Sequence, residues 1–240
     1  MNKSFYRKRR IALILVMATI LILGLVYDLI AQNRQVQPER LGAQKVSVDN
    51  SKSAVSALGQ LAVKGRAPKS GYSRKMFSDG WANINGCSVR ELILQRDLQD
   101  KVIYDDGCKV ASGALDPDPY TGKRIEFKRG PTTSQAVQID HVVAVSDAWQ
   151  KGAQQLTSEK RHSFYNDSLN LLAVDGPANN KKSDSDAATW LPPNKAYRCR
   201  YVARQVAVKL KYSLWVTQAE HDAIKRVLGG CPGQVLPVEQ

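Results

Sequence analysis

Residues 136–145 read Ala136-Val137-Gln138-Ile139-Asp140-His141-Val142-Val143-Ala144-Val145. Val137, Ile139, His141, Val143 and Val145 fall on one parity, the period-two pattern of a strand with one buried face. A strand is therefore predicted over 136–145. Downstream, Leu169-Asn170-Leu171-Leu172-Ala173-Val174 is a second short apolar run, closed by the turn pair Asp175-Gly176. Between the two, Ser146 offers an N-cap for a helix through Trp149, and Ser158 to Tyr165 reads as another helical piece. Upstream, Ser88 to Leu98 reads as a helix and Lys109-Val110 as strand, followed by the turn chemistry of Asp116-Pro117-Asp118-Pro119-Tyr120-Thr121-Gly122. Towards the C-terminus, Cys199, Val202, Ala203, Val206, Leu210 and Leu214 form one apolar helical stripe. Thr217 and Glu220 then make a capping box for a last helix that stops at Gly229-Gly230. Paired strands among segregated helices predict the α+β class.

The chain has 240 residues, 35 Lys+Arg against 22 Asp+Glu and a formal net charge of +13. That length and composition exclude a disordered chain, a collagen-like repeat and a multi-span membrane protein. The cationic excess points to a polyanionic partner. Lys3, Arg7, Lys8, Arg9 and Arg10 precede an apolar run from Ile11 to Ala31 broken only by Asp28. This is an export signal that leaves residues after about 32 outside the cytoplasm, either as an uncleaved single-span anchor in the cell membrane or as a cleaved signal that releases a secreted protein. Residues 1–31 carry +4, so +9 of the +13 belongs to the remainder. All four Trp and seven of nine Tyr lie beyond residue 70. The expected organisation is thus a signal or anchor over 1–31, a linker over 32–70, one globular domain over 71–232 and a tail over 233–240. Cys87, Cys108, Cys199 and Cys231 all lie in the exported part and none forms a C-x-x-C pair, so two disulfides are expected. Of three connectivities, the sequence-local one, Cys87 with Cys108 and Cys199 with Cys231, is favoured.

The chain lacks a G-x-S-x-G elbow, a phosphate-binding P-loop, a dinucleotide fingerprint and an H-E-x-x-H zinc motif. What remains is an ordered set: Asp140-His141, then Leu169-Asn170-Leu171-Leu172, then Asn179-Asn180-Lys181-Lys182-Ser183-Asp184. With the stretches Asp118-Pro119-Tyr120-Thr121-Gly122 and Trp190-Leu191-Pro192-Pro193, this set resembles the HNH, or ββα-metal, endonucleases. It is similar in particular to the HNH-like C-terminal domain of modification-dependent restriction enzymes. The resemblance runs from about Tyr72 to Leu228.

That resemblance implies a ββα-metal core embedded in a mostly helical, disulfide-bonded domain. It also implies a role for each matching residue: His141 as general base, Asp140 and Asn179 as ligands of one divalent metal, and Asn170 steadying the loop that carries the histidine. Asn166 and Asn180 are rivals for the two asparagine positions. Asn stands where the family name has its last His. The chemistry agrees, since a neutral imidazole can take a proton from water near neutral pH. Oxygen ligands favour Mg²⁺ or Mn²⁺ over a thiolate-bound zinc. Lys181 and Lys182 are expected to hold substrate phosphates, with Arg124, Lys128 and Arg129 extending the track. The implied activity is hydrolysis of DNA, or of RNA, with little sequence preference, by a monomer. The alternative is a surface-tethered DNA-binding module that has lost catalysis. One geometric demand follows: neighbours on a regular strand point to opposite faces, so Asp140 and His141 can converge only at a bend or at the strand's edge.

Overall fold

The structure, a computed structural model, describes residues 53–238. The apolar run at 11–31, with its expected role as signal or anchor, lies outside them. A short helix α1 (Ala54–Leu58) leads to strands β1 (Asn83–Ile84) and β2 (Cys87–Ser88) and to helix α2 (Val89–Asp97). Strands β3 (Gln99–Ile103), β4 (Val110–Leu115), β5 (Ile125–Lys128) and β6 (Val137–His141) follow. Helices α3 (Val145–Gln150) and α4 (Ser158–Tyr165) then precede strand β7 (Leu171–Asp175). Three helices complete the order: α5 (Gly176–Lys182), α6 (Arg198–Lys211) and α7 (Gln218–Gly229). The class is α+β, as expected. Both disulfides are the sequence-local ones, Cys87–Cys108 with Cα atoms 5.3 Å apart and Cys199–Cys231 with 6.2 Å.

The sheets are small and antiparallel. Strands β3, β4 and β5 form one sheet; β6 pairs with β7 over Val137↔Asp175 to His141↔Leu171. Helix α5 follows β7 directly and packs against both β6 and β7. This strand, strand and helix unit sits among three apolar clusters. One unites α1, α6 and α7 through Leu58, Val206 and Ile224. A second gathers the aromatic residues Phe77, Trp149, Phe164 and Tyr212. A third wedges Leu94, Phe127 and Leu171 between α2 and the strands.

Three local expectations are corrected. Strand β6 ends at His141 rather than Val145, because the Asn170 side chain takes the next backbone groups: its Oδ1 accepts from Val143 N at 2.8 Å and its Nδ2 donates to Val143 O at 3.3 Å. Helix α3 then starts at Val145 with Ala144 as N-cap, and the Ser146 hydroxyl donates to Asp184 Oδ2 at 3.1 Å instead of capping. The turn expected at Asp175-Gly176 opens a helix. Asp175 caps it by accepting from Ala178 N at 2.8 Å, and Pro177 sits in its first turn, where a missing N–H costs nothing.

The segment expected to end a linker at residue 70 is built into the domain. Ala54, Ala57 and Leu58 are buried, Val63 bridges Val216, and Trp215 Nε1 donates to Gly65 O at 3.0 Å. Beneath this arm lies a buried ionic cluster. Lys151 Nζ lies 2.8 Å from Asp147, 2.7 Å from Asp186 and 2.6 Å from Glu220, donating hydrogen bonds to the last two and forming an ion pair with the first. Lys209 Nζ lies 2.8 Å from Glu220 and 3.6 Å from Asp147. Arg66 closes the cluster with Asp147 at 2.9 Å and Asp186 at 2.8 Å. Three cations thus balance three anions. Burial opposes charge at Lys151, yet Asp147, Glu220 and Asp186 together hold its pKa above the ordinary lysine value. At Asp186, burial is outweighed by Lys151 and Arg66, and the pKa falls to about 2.

Gly176 fixes how closely α5 approaches. A Cβ there would lie 2.0 Å from the Gln135 backbone oxygen, whereas one at Gly229 would meet nothing within 4 Å. Gly176→Ala should therefore destabilise the domain by about 1–3 kcal/mol through overpacking. Gly229→Ala should stay within about 0.5 kcal/mol of the parent. Urea unfolding of the two variants checks this, and equal midpoints would contradict the account.

Candidate active site

Because β6 ends at His141, the last two residues of the strand open onto one cleft of about 370 Å³, where the chain leaves the sheet. Asp140, His141, Asn179, Asn180 and Asp184 line it, together with Lys69, Tyr72 and Arg74 from the arm before β1. Asp140 and His141, although neighbours on the strand, thus line the same cleft.

His141 is 4% exposed and held on three sides. Its Nε2 lies 2.8 Å from the Tyr165 backbone oxygen. A carbonyl only accepts, so Nε2 carries the proton and Nδ1 keeps its lone pair. Nδ1 has no hydrogen-bond partner among the described residues. The Trp81 ring stacks on the imidazole at 5.6 Å and 6°, and the Tyr165 ring lies 4.5 Å away. Burial chiefly, then the charges of Arg74 and Lys182, lower the His141 pKa to about 3, against the opposing Tyr165 carbonyl. The ring is therefore uncharged at physiological pH. Asn170, fully buried, grips Val143 with both side-chain atoms and accepts from Val142 N through its own carbonyl at 2.8 Å. It thus holds the backbone immediately after His141.

Asp140 has two buried partners. Lys182 Nζ donates to its Oδ1 at 2.9 Å and to His141 O at 2.9 Å, and the Tyr120 hydroxyl donates to its Oδ2. Burial raises the Asp140 pKa, opposed by Lys182 and Tyr120. Tyr120 itself is pushed well above its ordinary value by burial and by Asp140, so it stays a donor. Asn179 Nδ2 donates to Gln138 Oε1 at 2.8 Å, with the residue half-buried at the cleft wall. Among the described residues, no three His, Cys, Asp or Glu side chains gather as a metal cluster. One carboxylate and one amide oxygen at the same cleft nonetheless fit a hard cation that keeps most of its waters. The pairing of Asp140 with Lys182 leaves that corner near neutral, so such an ion would be held weakly by the protein alone.

The expected phosphate contacts are largely redistributed. Lys182 is fully buried and spent on Asp140, because α5 places residues 179 and 182 on one helical face and turns the second inward. Lys181 is exposed and lines a separate recess with Lys123 and Trp190. Arg124 is committed to Asp116 at 2.9 Å and Glu126 at 2.7 Å, Arg129 bonds Glu91, and Lys128 is exposed on β5; none of the three lines the cleft. Of the rival asparagines, Asn166 accepts from Ala82 N at 2.8 Å, while Asn180 is exposed at the cleft. Sequence reasoning missed Lys69, Tyr72, Arg74, Trp81 and Tyr165. The available signal was Lys64 to Lys75, five cations with one aromatic and no acid.

The family described as "GmrSD restriction endonucleases, C-terminal domain" matches residues 89–227, more than half of the chain. The chain belongs to that family. An "uncharacterized secreted protein" of Arthroderma benhamiae is 37% identical over 188 residues, which cover 77% of this chain and 88% of that protein. No solved structure matches. At the family level the GmrSD C-terminal domain is a nuclease-type hydrolase. Within this member of the GmrSD family, the arm that supplies Lys69, Tyr72 and Arg74 lies before the matched region.

Two predictions follow from the cleft. Since the folded pKa of His141 is near 3 and the unfolded value near 6.5, its contribution to stability is full above about pH 6.5. It is lost as pH falls towards 3, because the unfolded chain then binds a proton that the folded chain does not, at about 1.4 kcal/mol per pH unit. Urea unfolding from pH 7 to 4 should show this slope, and His141→Asn should flatten it. Separately, Lys182→Met leaves the Asp140 carboxylate buried without its cation and should cost about 3–5 kcal/mol. A loss under 1 kcal/mol would show that the pair is dispensable.

Proposed function

We propose that this protein is an exported, metal-dependent endonuclease that hydrolyses phosphodiester bonds of DNA, and of RNA where accessible, with little sequence preference. The observation that carries the reading is His141: a buried, neutral imidazole that lines the cleft with Asp140 and Asn179, its Nε2–H fixed by a backbone carbonyl and its Nδ1 without a hydrogen-bond partner among the described residues. We read β6, β7 and α5 as the ββα-metal core and residues 71–232 as the nuclease domain, extended by the arm from Ser53. Export is supported by two disulfides and by the secreted relative.

In this reading Nδ1 of His141 accepts the proton of an attacking water as its oxygen bonds to phosphorus. The P–O3′ bond breaks, its electron pair stays on O3′, and that oxygen takes a proton from solvent, giving 5′-phosphate and 3′-hydroxyl ends. Asn170 and the Tyr165 carbonyl keep the imidazole in place and in the required tautomer. Asp140 and Asn179 would hold one Mg²⁺ or Mn²⁺, which supplies charge neutralisation at the phosphate and the leaving oxygen. Among the described residues all cysteines are in disulfides and no His/Cys set is arranged as a zinc finger, so affinity is expected to come from phosphate-backbone contacts and to fall steeply with salt.

A plasmid-nicking assay with Mg²⁺ or Mn²⁺ should show cutting that EDTA abolishes. His141→Ala should lose at least about 10²-fold in rate, the usual worth of a general base, while retaining DNA in a filter-binding assay. Full activity in that variant would remove His141 from the mechanism. Retention of DNA by the parent without cutting under any metal would identify a binding module instead.

A further inference from the structure

The cleft's charges cancel in pairs except for one. Asp140 is matched by Lys182 at 2.9 Å, and Asp184 by Lys69 at 3.3 Å. Arg74 also lines the cleft, and it has no carboxylate partner among the described residues. Its Nε donates to the Tyr165 hydroxyl at 3.2 Å, and its guanidinium carbon lies 5.1 Å from the centre of the Tyr165 ring. The two terminal nitrogens of the guanidinium make no hydrogen bond to any described residue. A guanidinium tethered through Nε presents these two nitrogens as a fork, the geometry that matches two oxygens of a phosphate. Tyr165 therefore aligns two groups at once: its carbonyl fixes His141 and its hydroxyl fixes Arg74.

We propose that Arg74 is the phosphate clamp of this site, binding the non-bridging oxygens of the scissile phosphodiester beside His141. The proposal rests on the nuclease reading of the cleft. Three observations support it. The cleft needs an uncompensated positive charge to attract a phosphate, and the neutral pairs Asp140–Lys182 and Lys69–Asp184 cannot provide it. The lysines expected for this task are buried, as Lys182 is, or turned to another recess, as Lys181 is. Finally, Arg74 sits in a short 3-10 turn (Arg74–Met76) capped by Ser73 and anchored by Phe77, which is 2% exposed in the aromatic cluster, so its backbone is held while its side chain stays in the cleft.

The test compares the full-length parent with Arg74→Ala, Arg74→Lys and Tyr165→Phe. In plasmid nicking, Arg74→Ala should lower kcat by about 10²–10³-fold, the usual effect of losing a donor to developing phosphate charge. Arg74→Lys should recover part of the rate through charge without the fork. Tyr165→Phe should fall between parent and Arg74→Ala, since it removes the tether and leaves the guanidinium. Far-UV circular dichroism and the unfolding midpoint should match the parent in all three. Inorganic phosphate binding by calorimetry supplies a readout that does not depend on cutting: Arg74→Ala should weaken it at least tenfold. A parent that binds phosphate through Arg74 but cuts no DNA would refute the nuclease reading and keep the clamp. A cutting parent whose Arg74→Ala variant is within threefold in kcat and unchanged in phosphate affinity would overturn the clamp and keep the nuclease reading.

Discussion

Lys151 is the residue on which the arrangement of the described chain turns. Its ammonium is wholly buried and meets Asp147 from α3, the helix that Lys151 caps, Asp186 from the loop after α5, and Glu220 from α7. Burying one ammonium costs several kcal/mol, and the cost is offset only when opposite charges lie close around it. That condition forces α3, α7 and the 186 loop into a single geometry. Arg66 then joins from the arm through Asp147 and Asp186, and Lys209 from α6 through Glu220. Apolar packing among these elements tolerates small slides; a cluster with three cations on three anions does not. The cluster lies away from the cleft lining, yet it fixes the arm that brings Lys69, Tyr72 and Arg74 to the cleft.

The cleft itself is organised by residues that lie behind its lining. Asn170 stops the β6 ladder by capturing Val143, and the Tyr165 carbonyl selects the tautomer of His141. Asp140 is held by a lysine and a tyrosine that are both buried, so its position is set before any ligand arrives. Preorganisation of this kind avoids reorganisation during reaction, which is where electrostatic catalysis gains most. The corner so prepared is close to neutral, and the positive potential of the cleft concentrates on Arg74.

The sequence carried the strands and most helices because their signals are local. The alternation at 137–141, the apolar run at 171–174, the Thr217 and Glu220 capping box and the stripe from Cys199 to Leu210 all depend on residues within a turn or two of each other. The disulfide pairing is the sequence-local one favoured among the three connectivities. Asp140, His141, Asn170 and Asn179 were legible as a set, and they do gather at or directly behind one cleft. What was not legible depends on contacts between distant segments. Lys182 looks like surface charge beside Lys181, and only the helix opened by Asp175 and Pro177 turns it inward to a partner 42 residues earlier. The stretch 53–70 reads as the end of a linker because it is short of aromatic residues; its role comes from Arg66 reaching acids 81 and 120 positions away. Arg74 is one cation among several until the fold shows which of them lack an anion.

The chain enters the described domain and leaves it at one place. Ser53 bridges Val235, Ala54 N donates to Gln234 O at 2.9 Å, and the Cys199–Cys231 disulfide secures the departing segment to α6. A domain whose two ends are knotted together in this way has the topology of a closed ring. Tension applied between them would load the Ser53–Val235 bridge and bypass the sheets and the cleft. A short peptide joining residue 238 to residue 53 would complete the ring, so new ends could be opened at an exposed turn such as Asp105-Asp106-Gly107 without moving His141 or Arg74.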